Sequence, residues 1–129
     1  MAWLFLDTSR PDHFRLGILS RTSSHVVRGQ GRSSRLLPAL ARRFSARELD
    51  RVTGICVVHG PGAFSSVRGG VLSANLLARL LRKPLVGISV ADAEDLHAIG
   101  QDLEAGHCSP VSCVMPTYTS PPNITMCRP

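Results

Sequence analysis

With 129 residues, of which 43% are hydrophobic, the chain suits one small domain with a single core. It contains no apolar run of about eighteen residues and no basic segment leading into an apolar one at the N-terminus. The composition therefore argues against a membrane span or a signal peptide, favours a cytoplasmic location and predicts that the four cysteines are reduced thiols.

Positive charge is concentrated in the first two thirds of the chain, although the net charge is only +6. Up to Lys83 there are 14 basic and four acidic residues, a balance of +10, whereas from Pro84 onward one basic residue faces five acidic ones, a balance of −4. Fourteen of the 15 cations are Arg, which pairs bidentately with phosphate or carboxylate. RNA and an acidic protein are both candidate partners, and a basic pI alone does not choose between them.

Three strands are predicted at the start of the chain. Residues 3–6 are apolar and predict a buried strand that leads into a polar turn at residues 7–9. Residues 15–20 and 25–29 predict two further strands, joined by a polar hairpin connection. Three strands are therefore expected within the first 30 residues.

Two short helices are predicted next. Ser33 or Ser34 can cap a helix whose apolar stripe includes Leu36 and Leu40, and Ser45 can cap a second helical turn. Seven arginines lie between residues 28 and 51, against two acidic residues. They form either a solvated face, which is the usual role of such a charge run, or an RNA-contacting surface.

A glycine-rich turn joins the apolar run at residues 54–58 to a long helical pattern. The apolar run predicts a central strand covered on both faces. Gly60 and Gly62 allow a sharp turn before the helix, where exposed N–H groups and the helix dipole favour an anion. A P-loop has a Lys directly before its Ser or Thr, and no Lys precedes Ser65 or Ser66 here, so this turn is not a P-loop. His59 is either a general base or ligand, or a structural residue; no second ligand lies at metal-binding spacing.

The helical pattern from residue 64 to 82 is apolar over a wide arc, which one sheet cannot cover. Either this domain sandwiches the helix completely or a partner covers its second face. The residues predicted to form the partner interface, on this helix and the one before the glycine turn, are Leu36, Leu40, Val67, Gly70, Val71, Ala74, Leu77, Ala78 and Leu81.

The last part of the chain changes character after Gly106. Residues 85–88 predict a buried strand, and Ser89 with Asp92 resembles a capping box that opens a helix ending near Leu103. Beyond it, Ser, Thr, Pro and Cys dominate without periodicity. The sequence therefore predicts a domain at residues 1–106 and a disordered tail at 107–129, whose cysteines are poorly spaced for zinc.

Four motifs in order resemble the TsaB family, bacterial subunits of threonylcarbamoyladenosine synthesis once grouped with glycoproteases. The family pattern is LDTS, LLP, GPGSFTGLRIG and PLxGVSTLEAL, and residues 6–9, 36–38, 60–70 and 84–96 match it at family-like separations. Ala63 replaces a Ser, Ser65 a Thr, Ser66 a Gly and Gly69 an Ile. The resemblance covers about residues 2–97 and implies an α/β fold: a single actin-like, sugar-kinase-like (ribonuclease H-like) domain with a mixed sheet of about five strands and helices packed on it.

The resemblance also implies a vestigial phosphate site, for which the candidate residues are Asp7, Thr8, Ser9, Gly60 and Gly62. In the actin-like superfamily the first turn approaches the nucleotide phosphates. The alternative role of residues 7–9 is an Asx or Ser/Thr turn that caps backbone groups.

By the same resemblance, the chain is expected to be a non-catalytic scaffold without a metal or cofactor of its own. It would dimerise with a catalytic TsaD-like paralogue, which could supply ATP, support N6-threonylcarbamoylation of adenosine in tRNA, and contact tRNA only through the complex; a TsaE-like ATPase is a further candidate partner. The HxxxH metal motif of the catalytic subunit is absent. The alternatives are a nucleotide-binding phosphotransferase or hydrolase half-domain that acts as a homodimer and a general RNA-binding module.

Overall fold

Strand β1 lies in the middle of the sheet. Every residue of β1 (Trp3–Asp7) is buried, and it pairs antiparallel with β2 (His13–Leu19) and parallel with β4 (Gly54–Gly60). β3 (Ser24–Gln30) continues the antiparallel side and β5 (Leu85–Ser89) the parallel side. This computed structural model describes residues 2–118, and the order of its sheet is β3-β2-β1-β4-β5. The predicted mixed five-stranded α/β domain is confirmed.

Helices lie on both faces of the sheet: α1 (Leu36–Arg43), α2 (Ala46–Arg51), α3 (Phe64–Leu81) and α4 (Leu96–Ala105). Side chains alternate along a strand, so Leu4 and Leu6 join the core on the face that holds α1 and α3. Trp3 and Phe5 join the core on the opposite face, with residues of α4. Burial on both faces explains why β1 and β4 are apolar without alternation. Within residues 2–118, no helix is long and apolar enough to cross a membrane.

Helix α3 approaches the sheet closely because its inner face carries small residues. Its fully buried side chains include Val67 and Ala74, and it packs mainly on β4. Gly70 faces Thr8 so closely that an added Cβ would collide with the Thr8 hydroxyl. The helix ends at Arg82, which adopts the left-handed conformation at φ 56° and donates its N–H to the Ala78 carbonyl.

The helix starts differ in part from the sequence predictions. The Ser45 capping box is confirmed, since Ser45 Oγ accepts from Glu48 N at 3.1 Å and Glu48 Oε1 accepts from Ser45 N at 3.1 Å. Neither Ser33 nor Ser34 caps α1, because residues 33–35 form a 3₁₀ turn without a side-chain cap. α4 begins after Asp95, whose carboxylate accepts from Ala98 N, rather than after Ser89.

Residues 107–118 pack on the domain, which corrects the predicted disordered tail over that stretch. Val111 bridges Leu85 at the outer edge of β5, and Val114 is buried in the α3-side core. The Asn75 side chain accepts from Val114 N and donates to Val114 O, both at 2.9 Å. Helix α3 therefore anchors a segment that lacks any periodicity of its own. Residues 119–129 of the predicted tail lie outside the described residues.

Candidate functional site

The carboxylate of Asp7, at the end of β1, is already bound by its own chain. Arg15 donates from Nε at 3.1 Å and from a terminal nitrogen at 2.9 Å to Asp7 Oδ2, and Ser9 N donates to Asp7 Oδ1 at 2.9 Å. Asp7 and Arg15 are directly opposite in the β1–β2 ladder, which explains the pairing. The bond from Ser9 N is that of an Asx turn, the capping role considered for this turn.

Thr8 and the two glycines make contacts that fill the space between the first turn and α3. Thr8 Oγ1 donates to the Ser66 carbonyl at 2.7 Å and is buried. A Cβ on Gly62 would lie 2.5 Å from Val67 Cγ2 and 2.7 Å from Ser9 O, and one on Gly60 would collide with Thr117 O. The structure thus brings the five candidate phosphate residues close together, with protein atoms packed against both glycines.

A cavity of about 130 Å³ opens beside Asp7 on the α4 side of the sheet. Thr8, Gly60 and Gly62 do not line it. Its walls are formed by Asp7, Ser9, Arg10, His13, Arg15, Arg28, Val90, Ala93 and Glu94. Three guanidinium groups and two carboxylates meet there, so the wall charge is mixed rather than strongly cationic. Sequence reasoning missed this cavity, because α4-side residues from three distant segments form it.

His59 is half-buried and contacts the segment 107–118. Its Nδ1 lies 3.2 Å from Thr117 Oγ1, and its carbonyl accepts from Thr117 N at 2.6 Å. These contacts fit the structural role rather than a general base. No group of three or more His, Cys, Asp or Glu side chains among residues 2–118 is arranged to hold a metal ion.

The three described cysteines are free thiols. Burial, followed by the nearby Cys108 and Asp92, raises the pKa of the Cys56 thiol far above its ordinary value. Burial, followed by Asp102 and Asp92, also raises the pKa of Cys108. Both thiols are therefore protonated and poorly nucleophilic near neutral pH, which argues against a catalytic cysteine at either position.

The structure corrects the predicted partner interface. Seven of its nine residues are buried in the core of this domain, and the other two, Leu77 and Leu81, are partly buried and pack against it. The seven buried residues are Leu36, Leu40, Val67, Gly70, Val71, Ala74 and Ala78. They are not available to a partner, because the five on α3 pack on the sheet and on α1, and Leu36 and Leu40 of α1 lie in the same core.

A different stripe of α3 is open to solvent. Leu72, Leu76 and Leu80 are 57%, 50% and 69% exposed, and their spacing of four residues places them on one side of the helix. We call these three residues the leucine ridge. Its regular spacing could have identified it, had the small residues of α3 been assigned to the core.

The chain matches a known family over most of its length. The family model for TsaD, tRNA N6-adenosine threonylcarbamoyltransferase, matches residues 29–115. The chain belongs to this TsaD family. Among curated protein sequences, none matches it.

Among solved structures, this TsaD-family chain resembles YeaZ proteins more specifically. YeaZ from Pseudomonas aeruginosa is 27% identical with a TM-score of 0.60, over 69% of this chain and 45% of that one. A protein described as similar to peptidase YeaZ from Pseudomonas aeruginosa is also 27% identical, with a TM-score of 0.59 over 68% and 43%. The predicted resemblance to YeaZ-like TsaB proteins is confirmed, and the chain spans less than half the length of these two relatives.

A protein of much lower sequence identity shares the fold. RuvC from T. thermophilus, solved with a Holliday junction substrate, is 13% identical with a TM-score of 0.55, covering 86% of this chain and 99% of that one. At this identity the match concerns the fold alone. Together with the TsaD and YeaZ matches it confirms the predicted ribonuclease H-like, actin-like architecture.

Proposed function

We propose that this TsaD-family chain is a non-catalytic subunit in tRNA threonylcarbamoylation, and that it dimerises with a larger, catalytic TsaD-like protein. The observation that supports this proposal most directly is the leucine ridge on α3. Three leucines at least half exposed in one stripe form the ridge that helix–helix packing inserts between the side chains of a facing helix. In this proposal tRNA and a TsaE-like ATPase join through the catalytic subunit, which also supplies any ATP.

The state of Asp7 supports the non-catalytic part of the proposal. A carboxylate that serves a nucleotide-bound metal or activates water needs free lone pairs, and of the roughly four on a carboxylate Asp7 has about one left. Here Oδ2 accepts two bonds from Arg15 and Oδ1 accepts one from Ser9 N. Releasing Asp7 would leave the Arg15 guanidinium, itself only a quarter exposed, without its carboxylate partner.

The test is complex formation with the TsaD-like protein of the same cell, measured by light scattering after size exclusion and by titration calorimetry. Leu76→Glu places a charge in the centre of the ridge and should weaken binding at least about tenfold, since the charge must be desolvated. Met115→Glu is the matched control, because Met115 is 73% exposed and lies in the segment 107–118. Equal binding by both variants, or no binding by the unaltered chain, would refute the proposal.

The cavity beside Asp7 favours the second candidate, a nucleotide-binding half-domain that acts as a homodimer. Its volume of about 130 Å³ is small beside the roughly 300–1,000 Å³ of typical ligand pockets, so it suits one phosphate group at most. Titration with a non-hydrolysable ATP analogue tests this candidate. Saturable binding that is lost in Arg28→Gln would support it, whereas no binding at any protein concentration would eliminate it.

A further inference from the structure

Exposed arginines on α1, on α2 and at the residue before α1 lie outside the leucine ridge of the proposed dimer. Arg35, at the start of α1, Arg42 and Arg43, at its end, and Arg47 and Arg51, on α2, are all exposed. We call these five residues the arginine surface. None of them forms an ion pair with any residue in the described range 2–118.

The acidic residues nearby do not neutralise this surface. Residues 32–51 contain six arginines and two carboxylates, a net charge of +4. One carboxylate, Glu48, is held by Ser45 N in the capping box. Positive charge therefore exceeds negative charge over the segment that contains α1 and α2.

Helix stability explains only part of this arrangement. Arg42, Arg43 and Arg51 lie in last turns, where the helix dipole favours cations. Arg47 lies in the first turn of α2, where the dipole disfavours a cation, and it is four residues from Arg51, a spacing at which like charges repel. An anionic partner that binds across both helices would offset these two unfavourable placements.

From this geometry we infer that the arginine surface binds the phosphate backbone of helical RNA. Guanidinium groups pair bidentately with phosphate. The surface offers no platform for stacking bases: Phe14 is only 3% exposed, and Phe44 packs against the core. Contact with backbone phosphates, without base recognition, is the mode that remains. The choice of tRNA as the RNA rests on the proposed function, and the direct contact goes beyond it.

The experiment measures fluorescence anisotropy of a labelled tRNA transcript with the isolated chain, from about 50 to about 300 mM NaCl. Each lost phosphate contact lowers the steepness of log K against log salt by roughly 0.7–0.9. The variant Arg42→Gln/Arg43→Gln/Arg47→Gln should therefore bind more weakly and lose about two units of slope. The matched control Arg68→Gln/Arg79→Gln/Arg82→Gln removes the same number of charges from α3 and its C-cap. Its plot of log K against log salt should keep the slope of the unaltered chain.

Three outcomes would overturn the inference: no tRNA binding, equal slopes for the two triple variants, or polyglutamate competing as well as tRNA does, which would indicate an acidic protein partner. Circular dichroism and thermal unfolding of each variant separate lost binding from lost folding. Leu76→Glu, tested in the same assay, separates the two proposals. Its tRNA binding should be unchanged even though its binding to the TsaD-like protein is weakened.

Discussion

The two faces of α3 differ in the size of their side chains more than in their hydrophobicity. The inner face packs on the sheet through Gly70, Ala74 and Ala78, whereas the outer face carries the leucine ridge. Small residues let the helix backbone approach β1 and β4, and a larger side chain there would have no space. The outer leucines contribute little to this domain's core, and they are the surface that the proposed partner would cover. Four substitutions on or against α3 test this contrast.

The largest effect is expected from Gly70→Val on the inner face. The new side chain collides with Thr8 and breaks its bond to Ser66, so the free energy of unfolding should fall by about 3 kcal/mol. Urea denaturation followed by circular dichroism measures the change. Leu72→Val, on the outer face, is the control and should alter stability by less than about 0.5 kcal/mol. Similar losses for both variants would remove the distinction between the faces.

Asn75→Ala acts on the side of α3 that holds the segment 107–118. It leaves the buried N–H and carbonyl of Val114 without their side-chain partner, which should cost about 1–3 kcal/mol. Hydrogen exchange should rise first at residues 109–118 and only later in β4. Asn75→Asp keeps the acceptor for Val114 N but sets a carboxylate oxygen against the carbonyls of Val71 and Val114, so it should loosen the segment at least as much as Asn75→Ala does. Unchanged exchange in the segment would show that Asn75 does not anchor it.

Thr8→Val removes one hydrogen bond without changing the volume on the inner face. The expected loss is about 1 kcal/mol, since the Ser66 carbonyl loses a donor while the packing against Gly70 is kept. Thermal unfolding measures it, with the exposed Thr22→Val as the reference. If Thr8→Val and Thr22→Val unfold at the same temperature, the hydrogen bond of Thr8 contributes nothing to stability and only its packing matters.

Leu76→Ser should have the smallest effect on the isolated chain. Leu76 is half exposed, so its removal changes the free energy of unfolding by less than about 0.5 kcal/mol. Binding to the TsaD-like protein should nevertheless weaken, because the apolar area that the partner would cover is lost. A stability loss as large as that of Gly70→Val would instead assign Leu76 to this domain's own core.

The strands, the hairpin and the extent of α3 could be predicted because each has a local signal. Apolar runs bounded by polar turns mark β1 and β4, and proline after Lys83 ends the helix. The ion pair of Asp7 with Arg15 was not predicted, because it depends on the register of β1 against β2.

The face of α3 could not be predicted by periodicity, because the helix is apolar almost all round and its pattern has little contrast. Side-chain size would have distinguished the two faces, because the smaller residues of α3 pack on the sheet. Without that criterion, the predicted interface was placed on the buried side. The packing of residues 107–118 depends on Asn75, which lies 39 residues before Val114, and on Val111 at β5. Such long-range contacts leave no local pattern in the sequence.

The sheet order leaves an edge strand at which two copies of the chain could pair. Val111 covers part of the β5 edge, but within residues 2–118 no strand lies beside β3 on its outer side. The free N–H and C=O groups of an outermost strand are a template onto which another molecule can add. β3 carries Arg28, so two such strands brought together would each present a guanidinium group to the other. A charged residue on an edge strand disfavours such edge-to-edge pairing, and Arg28 is placed to have this effect.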